Sequence, residues 1–366
     1  MIAIDLFCGA GGLTRGLRNA GINVLLGIDN DDECRLTYEH NNRPTEFLCS
    51  DLRDVKAAEL QRRLGGRSGV PLLLAGCAPC QPFSTHQRAG RSADSRLLSE
   101  VARLVEALRP DWVFIENVPG LARVKGGSTY NRFKCALDRL EYKFTDGTLD
   151  AKWFGVPQNR RRLVLVASRV GEPSLPEATH GKGKKPFRTV QDAISHLPKI
   201  TAGQRDPSVP NHNAADISEV NLRRLRATPR DGGGRTDWPE SLELDCHQGR
   251  EGHEDVYGRM HWGAPAPTLT CRCFSISNGR YGHPEQDRAI SLREAASLQS
   301  FPEDYRFFGS TQKALGSQIG NAVPVGLAEA IARHVMQLAG LSPSPVARAT
   351  TNPPRLKTIR KSPRRS

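Results

Sequence analysis

The 366-residue sequence predicts an α/β fold, a sheet covered by helices on both faces, joined to a smaller irregular unit. Two observations carry this. From Ile2 to about Ser168, short β-rich apolar runs alternate with longer amphipathic ones, the βαβ rhythm of a parallel sheet. After Arg169 that rhythm is lost in a stretch rich in Gly, Pro, His and Arg, and it returns only near Ser291.

In chain order, strands are expected over 2–7, 24–29, 46–51, 71–76, 112–116 and 163–168. Helices are expected over 13–20, 31–41, 55–64, 95–108 and 129–140. The fourth places apolar residues at 97, 98, 101, 104, 105 and 108, one buried stripe. Near the end, Ser291-Leu-Arg-Glu294 opens a capped helix and 325–338 forms another. The Pro/Ser/Thr/Arg composition from Ser342 onward predicts a basic, disordered tail. The expected division is therefore 1–168 with 289–341 as one domain, 169–288 as a second, and 342–366 as tail.

Lys plus Arg number 52 against 39 Asp plus Glu, so the formal charge of +13 favours a polyanionic partner, nucleic acid before an anionic membrane surface. The tail contributes seven basic side chains and no acidic one, leaving +6 for the body. No run of about 18 apolar residues occurs, and the N-terminus has no leader pattern, so a soluble, non-secreted protein is expected. Nine cysteines, an odd number spread over the chain, read as reduced intracellular thiols.

The segment Pro71-Leu-Leu-Leu-Ala-Gly-Cys-Ala-Pro-Cys-Gln-Pro-Phe-Ser84 runs from a buried strand into a proline-rich loop with two thiols. Prolines 79 and 82 hold Cys80 extended and present its sulfur. Arg88, Arg91 and Arg96 follow and favour its thiolate, which suits a nucleophile. The spacing Cys77-x-x-Cys80 equally fits a redox pair or half a zinc site, with Cys271-x-Cys273 as further ligands.

Asp5-Leu-Phe-Cys-Gly-Ala-Gly-Gly-Leu13 follows the first strand, and its glycines permit a tight turn and close approach of a ligand to backbone. Thr14 stands where a dinucleotide fingerprint wants its third glycine, which disfavours NAD. Asp29 ends the second strand, where a carboxylate can take both hydroxyls of a ribose, and Asp51 ends the third. Alone, either Asp would read as a helix cap.

Six ordered blocks together resemble the cytosine-5 DNA methyltransferases. They are Asp5–Gly12, Pro79–Ser84, Glu116-Asn-Val118, Gln158-Asn-Arg-Arg-Arg162, Leu292–Pro302 and Gln318-Ile-Gly-Asn-Ala-Val-Pro324. The resemblance implies a Rossmann-like S-adenosyl-L-methionine-dependent methyltransferase fold, with a mixed, mostly parallel sheet and a smaller target recognition domain. It implies methyl transfer to carbon 5 of a cytosine in double-stranded DNA, with S-adenosyl-L-methionine as donor and no metal. It also assigns Cys80 as nucleophile, and leaves Cys77 as a structural departure where glycine or proline is more usual.

By the same resemblance Glu116 stabilises charge at ring nitrogen 3, Arg162 contacts the cytosine carbonyl oxygen and Glu116, and Arg160 helps hold the pocket. Phe7 faces the adenosyl group, the backbone at Ala10 and Gly12 the methionine end, and Asp29 the ribose; Gly9, Gly11, Asn30, Asp51, Leu52, Pro79 and Asn321 complete the cofactor set. The family more often has Glu at position 29. Gln81, Ser84, Thr268 and Leu269 are expected at the DNA, and the loop 85–95 closes over a flipped base. The stretch 169–288 takes the place of the recognition region, its basic and glycine residues suiting phosphate and base-edge contacts.

A monomer working beside the nucleoid in a bacterial cytoplasm is expected, with a restriction endonuclease or other phage-defence partner acting on the same site. An RNA cytosine methyltransferase of this family would share the pocket. A catalytically silent DNA-binding module would share the charge, though intact Cys80, Glu116 and Arg162 argue against it.

Overall fold

The computed structural model describes residues 1–66, 69–78, 97–123, 129–244 and 255–342. Its centre is a seven-stranded sheet: β1 (Ile2–Leu6), β2 (Asn23–Asp29), β3 (Glu46–Cys49), β4 (Leu72–Gly76), β5 (Trp112–Asn117), β6 (Lys143–Asp150) and β7 (Arg161–Ser168). The order across the sheet is β3-β2-β1-β4-β5-β7-β6. The first five strands are parallel, whereas β7 runs antiparallel to both β5 and β6. The sheet is thus mixed and mostly parallel.

Successive residues of the inner strands serve opposite faces, as the two-residue period of a strand requires. On one face Ile4, Leu6, Leu72 and Leu74 pack under α3 (Ala57–Leu64), α4 (Leu97–Leu108) and α5 (Thr129–Arg139), through Leu60, Val101, Leu104 and Phe133. On the other, Ala3, Leu73, Ala75 and Phe114 pack against α1 (Gly12–Asn19) and α10 (Val325–Leu338), through Leu17, Leu327, Ile331 and Val335. The C-terminal helix therefore closes a face that the N-terminal strands open.

The expected strands all form, some with shifted ends. β3 stops at Cys49, leaving Asp51 in the loop beyond it. The expected helix over 31–41 splits into a 3-10 turn at Asp32–Cys34, capped by the Asp31 carboxylate accepting from Glu33 N–H, and α2 (Arg35–Asn41). β6 was not expected. Its sequence, Lys-Phe-Thr-Asp-Gly-Thr-Leu-Asp, buries only its last two residues, because it is the sheet's edge and pairs on one side alone.

Between β7 and Ser291 the described chain adds no strand to the sheet; α6 (Val190–Ile194), α7 (Glu219–Ala227), 3-10 turns and isolated bridges replace it. Val190, Ile194, Met260, Leu269 and Tyr281 share an apolar cluster with Leu292, Leu298, Phe301 and Ile319. Those partners come from α8 (Leu292–Leu298), α9 (Gln312–Asn321) and the turn between. The capping box read from the sequence is present: Ser291 Oγ accepts from Glu294 N–H while Glu294 accepts from Ser291 N–H. No described helix is long and apolar enough to cross a membrane.

α1 and α10 meet at Gly16, where a Cβ would lie 2.4 Å from Ala328 Cβ and 2.8 Å from Val325 O. Glycine inside a helix normally costs about 0.5–1 kcal/mol relative to alanine, so propensity alone would make Gly16→Ala stabilising. The close approach reverses the sign: urea unfolding of Gly16→Ala is expected to show a loss of about 1–3 kcal/mol, the usual cost of overpacking.

Candidate active site

The carboxyl ends of β1, β2, β4 and β5 lie along one edge of the sheet, and β7 begins and β6 ends there because they are antiparallel to their neighbours. β1 sits where the order reverses, between β2 and β4. Open α/β sheets bind ligands at such a point.

The turn after β1 bends through positive φ at Phe7 (58°), Gly9 (48°) and Gly11 (87°). Gly9 N–H donates to Asp29 Oδ2 at 2.8 Å, and Asp31 N–H donates to Asp29 Oδ1 at 2.9 Å, so the carboxylate ending β2 is fixed toward the turn. Burial raises its pKa from the ordinary value. A Cβ at Gly9 would meet only Asp29 Oδ2, at 4.0 Å, whereas one at Gly11 would strike Asn42 Nδ2 at 2.3 Å and Tyr305 Oη at 2.8 Å. The turn is thus open on the side of Gly9 and Asp29 and packed on the other. Tyr305 also donates to Ala10 O at 2.5 Å.

Under the turn Thr14 Oγ1 donates to Asp5 Oδ2 at 2.6 Å and is 2.8 Å from Tyr38 Oη. Asp5 is fully buried, and its second oxygen has no hydrogen-bond partner among the described residues. Burial raises its pKa to about 7. An exposed-side glycine turn with a carboxylate at the next strand end fits the nucleoside part of a cofactor such as S-adenosyl-L-methionine. Leu52 is buried and Asn30 exposed. Asp51 instead grips Arg53, with Nε at 2.8 Å and Nη2 at 2.6 Å, and that hydrogen bonding lowers its pKa to about 2. Asn321 is exposed and accepts from Cys271 Sγ at 3.0 Å.

At the end of β5, Glu116 is buried with Arg162 beside it: Arg162 Nε lies 2.8 Å from Glu116 Oε1, an ion pair whose angle falls short of an aligned hydrogen bond. Cys77 Sγ donates to Glu116 Oε2 at 2.6 Å. Burial, then the Glu116 charge, pushes the Cys77 thiol well up, so it is an S–H donor and not a thiolate. Asn117 Nδ2 donates to Ala78 O at 2.9 Å and fixes the chain just before Pro79. Pro79, Cys80, Gln81, Ser84 and the loop 85–95 lie outside the described residues.

Arg160 feels the Glu116 charge, but its side-chain hydrogen bonds go to backbone carbonyls of other segments. It donates to Leu269 O at 2.9 Å, Gly320 O at 2.9 Å and Ala322 O at 3.1 Å. Burial, reinforced by Arg162, drags its pKa down to about 9. Leu269 is buried and its N–H donates to Gln158 Oε1 at 3.0 Å, while exposed Thr268 donates to Asn159 O at 2.6 Å. The run 157–160 therefore joins the catalytic edge to the stretch 265–270. Three contacts were missed from sequence: Cys77 to Glu116, Asn117 to Ala78, and Gln158 to Leu269. The last two sit inside the Glu-Asn-Val and Gln-Asn-Arg blocks, which carried the signal without the geometry. Among the described residues no group of three or more His, Cys, Asp or Glu side chains is placed to hold a metal.

The strand order and this site define a class, the S-adenosyl-methionine-dependent methyltransferase fold. Residues 1–337 match the C-5 cytosine-specific DNA methylase family. The chain is 42% identical over 338 residues to the Type II methylase M.HgiDII of Herpetosiphon aurantiacus, covering 91% of this chain and 94% of that one. It is 36% identical over 340 residues to the Type II methyltransferase M1.HphI of Haemophilus parahaemolyticus, covering 92% and 86%. Among solved structures, a prophage-encoded DNA modification methyltransferase from E. coli superimposes with a TM-score of 0.73 at 22% identity, covering 93% of this chain and 99% of that one. The chain belongs to the C-5 cytosine-specific DNA methylase family, and it is a DNA (cytosine-5-)-methyltransferase.

The Asp5 carboxyl gives a pH signature. Its folded pKa of about 7 lies above the ordinary unfolded value, so the folded state holds a proton that the unfolded state releases. Stability from this group is full below about pH 4 and falls as pH rises toward 7. Asp5→Asn removes that titration. Between pH 5 and pH 8, urea unfolding is expected to show the variant gaining about 2–3 kcal/mol on the wild type; a constant difference would contradict it.

Proposed function

We propose that the enzyme methylates carbon 5 of a cytosine flipped out of duplex DNA, through a covalent adduct with Cys80. The observation that carries this is the buried Glu116, at the end of β5, held by Arg162 and lying beside the chain that enters Pro79-Cys80. Cytosine carbon 5 is a poor nucleophile in the neutral ring. Addition of the Cys80 thiolate to carbon 6 moves electron density toward carbon 5 and nitrogen 3. Glu116 donates to nitrogen 3 when protonated, and Arg162 holds it in place and faces the carbonyl oxygen. S-adenosyl-L-methionine, when bound, supplies the methyl group. Loss of the carbon-5 proton then expels the sulfur and restores the ring.

Phe7, Ala10, Gly12, Asp29, Asn30, Leu52, Pro79 and Asn321 would hold the cofactor, with Asp29 at the ribose hydroxyls. For Asp51 the Arg53 pair must first open. Arg160 acts by holding 269 and 320–322 together rather than by touching the base. Residues 1–168 and 289–341 carry the transfer, and 169–288 read the DNA with Gln81, Ser84 and Thr268 at its backbone; Leu269 supports them from within. The mechanism calls for no metal. The Type II naming of the relatives supports a role in restriction-modification or another phage defence, with an endonuclease of the same specificity as partner; the enzyme would act as a monomer in the cytoplasm.

The test is transfer of labelled methyl from S-adenosyl-L-methionine to duplex DNA and, separately, to transfer RNA, with wild type and Cys80→Ala. Label on DNA from wild type alone is expected, with at least a thousandfold loss in the variant, roughly the cost of removing a catalytic nucleophile. Label on RNA alone would replace the substrate, binding without label would make this a silent module, and equal label from Cys80→Ala would remove Cys80 as nucleophile. Truncation before Ser342 is expected to leave transfer intact, since the family match ends at 337.

A further inference from the structure

The connection from β7 to α6 carries a basic surface that the transfer reaction does not use. Lys182, Lys184, Lys185 and Arg188 are all exposed, and no acidic residue lies between Glu177 and Asp192. The turn has a defined backbone: Gly181 N–H donates to Lys185 O at 2.9 Å, Lys184 N–H to Gly181 O at 3.0 Å, and Gly183 takes φ 73°. Lys184 Nζ reaches Ala178 O, and neither Lys182 nor Lys185 pairs with a carboxylate among the described residues. The field is felt next door, where burial first and then Lys185 and Arg188 lower the pKa of His180.

Its position matters more than its charge. Thr179 and His180 N–H both donate to Trp153 O at 2.9 Å, which docks the turn on the 3-10 turn Ala151–Phe154 between β6 and β7. Lys152 Nζ lies 5.3 Å from the Phe187 ring centroid and donates to Asn159 Oδ1 at 2.8 Å. Asn159 is the residue whose carbonyl accepts from Thr268. The basic turn therefore stands on the catalytic edge of the sheet, linked to the 265–268 stretch through two residues, Lys152 and Asn159.

We propose that the 181–188 turn is a phosphate-anchoring site for the duplex that flanks the target sequence. Lysines on a rigid turn contribute register and affinity without reading bases. This rests on the reading of duplex DNA as substrate. A duplex lying across 265–268 continues along the edge to the turn.

The full chain and its Lys182→Ala/Lys184→Ala/Lys185→Ala variant would be titrated with a long duplex and with one trimmed to the target, over a range of NaCl. Expected is a salt slope, log affinity against log salt, shallower by about 2–3 for the variant on the long duplex, close to one per lost phosphate contact. The weakening should be equal for target and non-target sequences and vanish on the trimmed duplex. Arg62→Ala is the control: it adjoins Arg63, which pairs with Glu46 at the start of β3 on the opposite edge, and its slope should match wild type. An unchanged slope in the triple variant overturns the anchor, as does weakening confined to the target or a loss seen only on anionic phospholipid vesicles. Wild type that transfers no methyl to DNA would instead fail the underlying reading. Unaltered thermal melting separates both from misfolding, and Lys185→Glu should steepen the loss.

Discussion

The guanidinium of Arg160 holds the molecule's two halves in register. It is buried, three carbonyls from segments 109 to 162 residues away take its protons, and the Glu116 charge adds support against burial. Carbonyl dipoles at the right positions replace water, but only in part: its Nε has no partner among the described residues, and burial still lowers its pKa to about 9. Such a group tolerates no looseness, since moving 269 or 320–322 away would strand a buried charge. The segment at Leu269 and the end of α9 are thereby locked to the strand that carries Arg162.

The same device recurs where regular structure is scarce. Arg259 donates to carbonyls of Leu225, Thr228, His283 and Gln286, and Arg293 to those of Pro210, Pro302 and Tyr305. Arg288 pairs with both oxygens of Glu294 at 2.7 Å; burial opposes that carboxylate's charge, yet these bonds bring its pKa down to about 2. An irregular chain leaves many backbone carbonyls without ladder partners. A planar side chain with five donors satisfies several at once, which is why this region is rich in arginine inside as well as outside. Part of the chain's basicity is therefore architecture.

How far the sequence could be read follows from where periodicity lives. The inner strands announce themselves because both faces are buried, and the helix at Ser291 because its cap is two side chains three apart. β6 is hidden because an edge strand buries little, and the antiparallel entry of β7 because local pattern says nothing of direction. At the site, Glu116 and Arg162 were legible as motif letters, and their contact emerges only from the pairing of β5 with β7, Glu116 opposite Val164. Asp51 shows the converse: its salt-bridge partner Arg53 lies only two residues away in the sequence, and that pair, rather than the strand end, sets where its carboxylate points. Arg160 stands close enough to the site to feel Arg162 and Glu116, but it precedes β7, and its hydrogen bonds to the carbonyls of Leu269, Gly320 and Ala322 depend on distant segments that no local pattern announces.

Glu116 is held by partners of unequal strength. Arg162 is a permanent cation, and the pair anchors the carboxylate at the end of β5. Cys77 offers a thiol, a weak donor, whose own ionisation is suppressed by burial and by the carboxylate it faces. A strong second donor, a lysine or another arginine, would keep the carboxylate charged and engaged. A weak one keeps the oxygen oriented and yields when the base offers that oxygen a stronger partner at ring nitrogen 3. In the proposed reaction that oxygen would turn from the protein to the ring of a cytosine, and a thiol at position 77 would then act as a placeholder for the substrate, with the nucleophilic work left to Cys80.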